Sequence, residues 1–396
     1  MDNRAAISAA RERYPFLTFE LDLRRLPPRV WAQLGEARSK CDQLAGVPLM
    51  PATARELHAL YLAKGVLATT AIEGNTLSEA QVRAVLEDKA TLPPSKDYLA
   101  QEVRNVATAC GAIFQALRGG GDARVTSERI RQFNAEVLRD LRVEPEVAPG
   151  RFRQHEVSVA RYRAPDARFV EPLIERLSEW LESPAFREPE LRVELQLLRA
   201  IVAHLYLAWI HPFGDGNGRT ARLLEFHLLI AAGVPSPAAH LLSNHYNQTR
   251  TEYYRQLDHA SRSGGDVVPF IAYAVQGFVD GLAEQLVRVR AQQRGVTWES
   301  FVFDHFRGRD TIAARRQRNV VLALAFHESV PVARLRSLTP DLTLAYVRKT
   351  EKTLARDLRA LEAAGLILRK GTTVCANLAR VEAFLPERRL DSSPAG

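Results

Sequence analysis

The segment His211-Pro212-Phe213-Gly214-Asp215-Gly216-Asn217-Gly218-Arg219-Thr220-Ala221-Arg222 concentrates more potential chemistry than any other stretch of the 396-residue chain. An apolar helical run ends at Ile210, and Leu223, Leu224, Phe226, Leu228 and Leu229 begin another, so the segment is a loop between two helices. Glycines at 214, 216 and 218 permit positive φ and close approach. Consecutive backbone N–H groups can then turn inward at a helix N-terminus and form an anion nest suited to phosphate. Arg219 and Arg222 share a face of the first helical turn, where the helix dipole disfavours cations by roughly 0.3 to 1 kcal/mol each. Both call for an anion. Asp215 poses the opposite problem, since a carboxylate beside phosphate needs a bridging divalent cation, and Mg²⁺ suits oxygen ligands. A nucleotide with Mg²⁺ resolves both conflicts. His211 carries the one side chain of the segment able to accept a proton near neutral pH, which makes it the candidate general base.

The glycines run GxGxG after a helix and no GxxxxGK[ST] occurs, so neither a Rossmann fingerprint nor a P-loop is present. His204, seven residues before His211, reads as a core histidine, with a metal pair as the alternative. The whole segment resembles the HPFx(D/E)GNGRxxR signature of the Fic family of protein adenylyltransferases, and all nine fixed positions match. The resemblance extends over roughly residues 50 to 285. Pro149-Gly150-Arg151-Phe152-Arg153 is similar to the family's segment before its flap. Glu252-Tyr253-Tyr254 and Gly265 to Phe270 are similar to its downstream helices, although Ser261 stands where relatives can carry Asn.

The resemblance implies roles by position. His211 would deprotonate a target hydroxyl, Asp215 would hold Mg²⁺, and Gly216, Asn217, Gly218, Arg219, Thr220, Ala221 and Arg222 would bind the phosphates of ATP. Tyr253 and Tyr254 would line the adenine pocket or serve as packing residues. The alternation around Val157, Ser158 and Val159, continuing through Ala160 and Arg161 to Pro165, predicts a small hairpin whose edge would dock a target strand, as the family's flap does. Implied overall is transfer of AMP from ATP to Ser, Thr or Tyr hydroxyls of protein substrates and of the chain itself. Transfer of another phosphate-containing group, or a DNA-binding regulator with a vestigial enzyme, are the alternatives.

The helices that must position these groups are legible too. Apolar residues recur at helical spacing almost throughout, which predicts a mainly α chain; the resemblance implies that its fold is a Fic-type helical bundle with a small β-hairpin flap, and the last quarter resembles a winged-helix domain. The expected divisions are residues 1–110 as an N-terminal helical region, 111–290 as the catalytic core and 300–390 as a winged helix-turn-helix. Leu57, Leu60, Ala63, Leu67 and Ala71 predict a helix that closes at Gly74-Asn75, with Glu73 in its last turn and Thr76 and Glu79 as a capping box for the next. A carboxylate at that negative helix end wants a cation, and the site's arginines are available. Thr69, Glu73 and Gly74 also resemble the family's inhibitory (S/T)xxxE(G/N) motif, which implies that Glu73 pairs with Arg222 and obstructs γ-phosphate placement.

Hydrophobic residues make up 46% and charged residues 25% of the chain, ordinary globular values that exclude wholesale disorder or a collagen-like repeat. Cys41, Cys110 and Cys375 lie far apart, which predicts reduced thiols and a cytoplasmic protein. No secretory signal is visible, and Ala200 to Ile210 is too short an apolar run for a bilayer. Most of the net charge of +8 falls in the last quarter, which fits either a module for a polyanion or a solvated basic surface. There, helices are expected over 315–326, 332–338 and 344–364, followed by two short strands around Arg369-Lys370-Gly371. Arg348, Lys349, Lys352, Arg356, Arg369 and Lys370 would face duplex DNA or, on the rival reading, a docking or dimer partner.

Overall fold

The computed structural model describes residues 3–159 and 162–382, so Ala160 and Arg161 of the expected hairpin, and the tail from 383, lie outside the described residues. The chain divides into two units at 286/287, ahead of the break expected near 300. The reason lies in Trp298 and Val302, inside a helix that ends at His305, and Phe306 just past it, all of which belong to the second unit's core.

The first unit contains α1 (Asn3–Arg13), α2 (Pro28–Ala45), α3 (Pro51–Ala71), α4 (Glu79–Leu86), α5 (Asp97–Arg118) and α6 (Ser127–Val137). A two-stranded hairpin follows, β1 (Ser158–Val159) and β2 (Tyr162–Arg163), with Ser158 opposite Arg163 and Val159 opposite Tyr162. Then come α7 (Val170–Leu181), α8 (Arg192–Ile210), α9 (Asn217–Ala231), α10 (Leu241–Gln248), α11 (Arg250–Arg262) and the start of α12 (Val268–His305), whose residues from 287 on belong to the second unit. At its centre α8 and α9 pack on each other, buried along nearly their whole circumference. A helix apolar all round must lie inside a core, and the short segment between two such helices inherits their rigidity. By length and composition α8 could cross a membrane, contrary to the reading of 200–210 alone. Instead 83% of its apolar window is buried inside the chain.

α3 begins with Pro51 at its first turn and ends at Ala71, two residues short of expectation, so Glu73 lies in the turn beyond the helix rather than in it. The capping box of α4 is Ser78 with Gln81, at 3.3 and 3.0 Å, rather than Thr76 with Glu79. Both corrections have one cause. Gly74 at φ 99° and Asn75, whose Oδ1 accepts the Leu77 N–H at 3.1 Å, lengthen the turn by one step.

The second unit holds α13 (Ile312–Leu324), β3 (Val330–Pro331), α14 (Pro340–Tyr346), α15 (Glu351–Ala363), β4 (Ile367–Lys370) and β5 (Thr373–Ala376). The strands form one antiparallel sheet in the order β3-β5-β4, one strand more than expected, because a two-residue strand leaves no alternation to read. The helix expected over 344–364 is two helices. Leu344 and Val347 count as apolar stripe in the sequence yet are 74% and 69% exposed, while Thr339 and Thr350 take extended N-cap conformations that restart the chain. The segment 332–337 is a 3₁₀ turn.

Candidate active site

α8 stops at Ile210, and His211 takes a left-handed conformation, φ 49° and ψ 59°, a state costing a non-glycine residue roughly 1 to 2 kcal/mol. Its Nδ1 lies 3.3 Å from the Ala208 carbonyl. A carbonyl only accepts, so Nδ1 carries the proton and Nε2 presents a lone pair. Burial, the largest influence, pushes the imidazole below its ordinary value, which leaves it neutral at pH 7. These are the properties of a general base.

Beyond His211 the chain knots on itself. The Phe213 N–H donates to Asn217 Oδ1 at 2.9 Å, and Asn217 Nδ2 returns to the Phe213 carbonyl at 2.8 Å. The Asn217 side chain is therefore spent on loop shape and serves an anion through its backbone alone. Gly216 follows the turn at φ 74°, and the first intrahelical bond of α9 is Thr220 N–H to the Gly216 carbonyl at 2.9 Å. The N–H groups of Asn217, Gly218 and Arg219 precede that bond and form the nest. Thr220 and Ala221, expected among the phosphate-binding residues, are fully buried, with Thr220 Oγ1 bonded to the Gly216 carbonyl at 2.8 Å.

The two arginines differ. Arg219 Nη1 meets Glu102 Oε1 at 2.7 Å and its Nη2 meets Asp215 at 3.2 Å, so this cation is compensated, contrary to the sequence reading. Arg222, 2% exposed, has one partner acid: its Nη2 lies 2.6 Å from Glu73 Oε1 and 3.0 Å from the Thr69 carbonyl. Its Nε and Nη1, and Nε of Arg219, are buried with no partner among the described residues. Burial works to raise the Glu73 carboxyl, but the charge and hydrogen bond of Arg222 outweigh it and hold the group below its usual range. The carboxylate lies against Gly218 so closely that a Cβ there would collide with Oε1.

Asp215 is half exposed, with Oδ1 accepting the Gly216 N–H at 2.5 Å. Among the described residues no group of three His, Cys, Asp or Glu side chains stands together to hold a metal. A lone carboxylate beside an anion nest fits Mg²⁺ that arrives with phosphates rather than a resident ion.

The tyrosines diverge. Tyr253 is core: its hydroxyl bonds His204 Nε2 at 2.9 Å and its ring stacks on Tyr246 at 4.8 Å, which also places His204 inside the core. Tyr254, 42% exposed, reaches the surface and donates to the Ile72 carbonyl at 3.4 Å. Arg250 Nη2 grips the same carbonyl at 2.7 Å. In the hairpin Ser158 and Val159 are exposed, and the Val157 carbonyl accepts the Ala164 N–H at 3.2 Å.

Glu102 and Asn134 escaped the sequence reading, and Arg153 entered it only as part of the 149–153 segment, with no role of its own. Glu102 also accepts Asn75 Nδ2 at 2.9 Å, and Asn134, fully buried, donates to the Asp215 carbonyl at 2.9 Å while its Oδ1 receives the Gly150 N–H. The available signal was a polar residue set into an apolar stripe: Glu102 between Leu99 and Val106, Asn134 between Ile130 and Val137.

Residues 124–229 match the Fic/DOC family. The chain is 32% identical over 222 residues to protein adenylyltransferase fic-1 of Caenorhabditis elegans, covering 56% of this chain and 40% of the relative. It is 30% identical over 208 residues to protein adenylyltransferase Fic of Nematostella vectensis, covering 52% and 45%. This chain thus spans under half the length of these curated relatives. Among solved structures, Fic-1 (residues 134–508) of Caenorhabditis elegans aligns with a TM-score of 0.54 and 26% identity over 66% of this chain and 73% of that one. A Fic family protein from Desulfovibrio desulfuricans G20 shares the fold at a TM-score of 0.54, with 24% identity over 88% and 95%.

Proposed function

We propose, from the premise that this chain carries a Fic/DOC domain, that it is a protein adenylyltransferase moving AMP from ATP onto Ser, Thr or Tyr hydroxyls of target proteins and of itself. The observation that carries the reading is Arg222: a buried guanidinium with two nitrogens, Nε and Nη1, unbonded and the third bonded to Glu73 and the Thr69 carbonyl, beside a glycine nest and a neutral histidine. His211 Nε2 takes the proton of the acceptor hydroxyl, whose oxygen then attacks the α-phosphorus in line. The bond to the bridging oxygen of pyrophosphate breaks and its electron pair leaves with the pyrophosphate. The backbone N–H groups of Asn217, Gly218 and Arg219 and the Arg222 guanidinium stabilise the negative charge as it shifts. Asp215 would hold Mg²⁺, which supplies further neutralisation of the phosphates. Glu73 takes the arginine that the γ-phosphate needs, and so keeps bound ATP out of line. The exposed edge at Ser158 and Val159 would receive the target as an added strand.

The test is incubation of the Glu73→Gly chain with ATP labelled at the α- or the γ-phosphate. Label on protein from the α position is expected. Label from the γ position alone would show phosphoryl transfer and overturn the reading. For the second unit, the exposure of Arg348, Lys349, Lys352, Arg356, Arg369 and Lys370 supports duplex DNA as a partner through a winged-helix face. Binding that weakens steeply with salt, measured on the full chain and lost when these residues are changed to Ala, is the expected result.

A further inference from the structure

Arg153 is 3% exposed and has no carboxylate within hydrogen-bonding distance among the described residues. All its bonds run to backbone carbonyls. Nε donates to His211 at 2.8 Å, Nη1 to His155 at 2.8 Å, and Nη2 to Pro165 at 2.5 Å and Ile210 at 3.5 Å. Its own N–H donates to the Pro212 carbonyl at 2.9 Å. One residue therefore gathers the carbonyls of Ile210, His211 and Pro212, which the end of α8 leaves without helical partners, together with one carbonyl from each side of the β1–β2 hairpin. Burying a guanidinium with no carboxylate bonded to it is costly, and burial pushes its pKa down against the more distant pull of Glu156 and Asp166, so the fold gains something only a planar five-donor fork supplies.

We propose that Arg153 is a positioning residue that sets the distance and orientation between the target-docking hairpin and the His211 imidazole. This rests on the adenylyltransferase reading. A base on a strained left-handed residue and an acceptor held by a separate hairpin must meet within hydrogen-bond reach, and an error of about 1 Å can cost ~10²-fold. Arg153 bonds the backbone of both, so neither moves without the other. Tyr162 adds a lighter tie, its hydroxyl donating to the Trp209 carbonyl at 2.7 Å.

The test uses the full chain carrying Glu73→Gly, with Arg153→Lys, Arg153→Gln or Tyr162→Phe added. Two products are followed from α-labelled ATP: AMP on protein, which needs the hairpin, and free AMP from attack by water, which does not. Loss of folded enzyme lowers both together. The positioning role instead lowers the protein-to-water ratio about ten-fold or more for both Arg153 variants, with ATP affinity unchanged, and by a lesser factor for Tyr162→Phe. Lysine fails to rescue because one ammonium cannot span the four carbonyls that the guanidinium reaches. An unchanged ratio overturns the proposal. Should the Glu73→Gly chain transfer no AMP, the functional reading has failed on its own, and amide hydrogen exchange decides for Arg153. Joint loss of protection in 155–165 and 210–212 in Arg153→Gln upholds the coupling, and protection kept in either segment refutes it.

Discussion

Among the buried arginines that meet a carboxylate, Arg316 of the second unit and Arg222 of the first are finished to different degrees. Arg316 in α13 meets Asp357 in α15 through Nε at 2.6 Å and Nη2 at 3.1 Å. The acid is then completed by Gln317 at 3.1 Å and the Tyr346 hydroxyl at 2.9 Å. Arg222 shares one nitrogen with one oxygen of Glu73, a side chain one-third exposed, and keeps Nε and Nη1 unbonded. A saturated buried pair holds helices in register, whereas an unsaturated one is a place where something else can bind.

The largest effect expected at the unsaturated end concerns the base. In the Glu73→Gly background, His211→Ala should lower AMP transfer by ~10² to 10⁴-fold while ATP binding, followed by calorimetry, persists on the remaining nest and arginines. Next, Glu73→Gly alone should raise initial transfer by about 10²-fold, and adding Arg222→Ala should cancel the gain. An unchanged rate for Glu73→Gly would make its pair as structural as Arg316–Asp357. Conversely, Asp357→Ala should leave transfer untouched and destabilise the second unit by about 3 to 5 kcal/mol in denaturant unfolding, since it strands a buried cation.

The smallest effect concerns Glu225, buried behind the site with Oε1 accepting from Tyr246 at 2.9 Å. Burial raises its carboxyl to about 8. The folded chain then holds a proton that the unfolded chain has released, so Glu225 costs stability progressively from about pH 4.5 to about 8. His204, His227 and His240, lowered to about 3, 4 and 3 by burial, act in the opposite sense, but their contribution is complete once pH exceeds about 6.5. Between pH 7 and 8 the melting temperature of Glu225→Gln should therefore hold level where that of the parent falls.

Much of the first unit was legible because its chemistry is local. His211, Asp215, the glycines and Arg222 are consecutive or one turn apart, and Glu73 announces itself as an acid at a helix end. Glu102, Asn134 and Arg153 were not legible, because each acts on a carbonyl or cation distant in sequence and no spacing records such a partner. The second unit was harder still. Leu344 and Val347 lengthen an apparent stripe that the fold does not use, and Asp357, set among Leu354, Leu358 and Leu361, reads as a surface acid until Arg316 is found opposite.

The closeness of Glu73 to Gly218 carries one more consequence. On the proposed adenylyltransferase reading the carboxylate would be a competitor for Arg222 tethered to the same chain, and a tethered competitor acts at a constant effective concentration, commonly millimolar for short flexible links and higher for a rigid turn. On that reading dilution would not remove it, and ATP would compete with it at the arginine alone. Occupancy and turnover would then be uncoupled: the protein would stay saturated with nucleotide and remain idle, and its output would follow the fraction of time a single side chain spends away from a guanidinium.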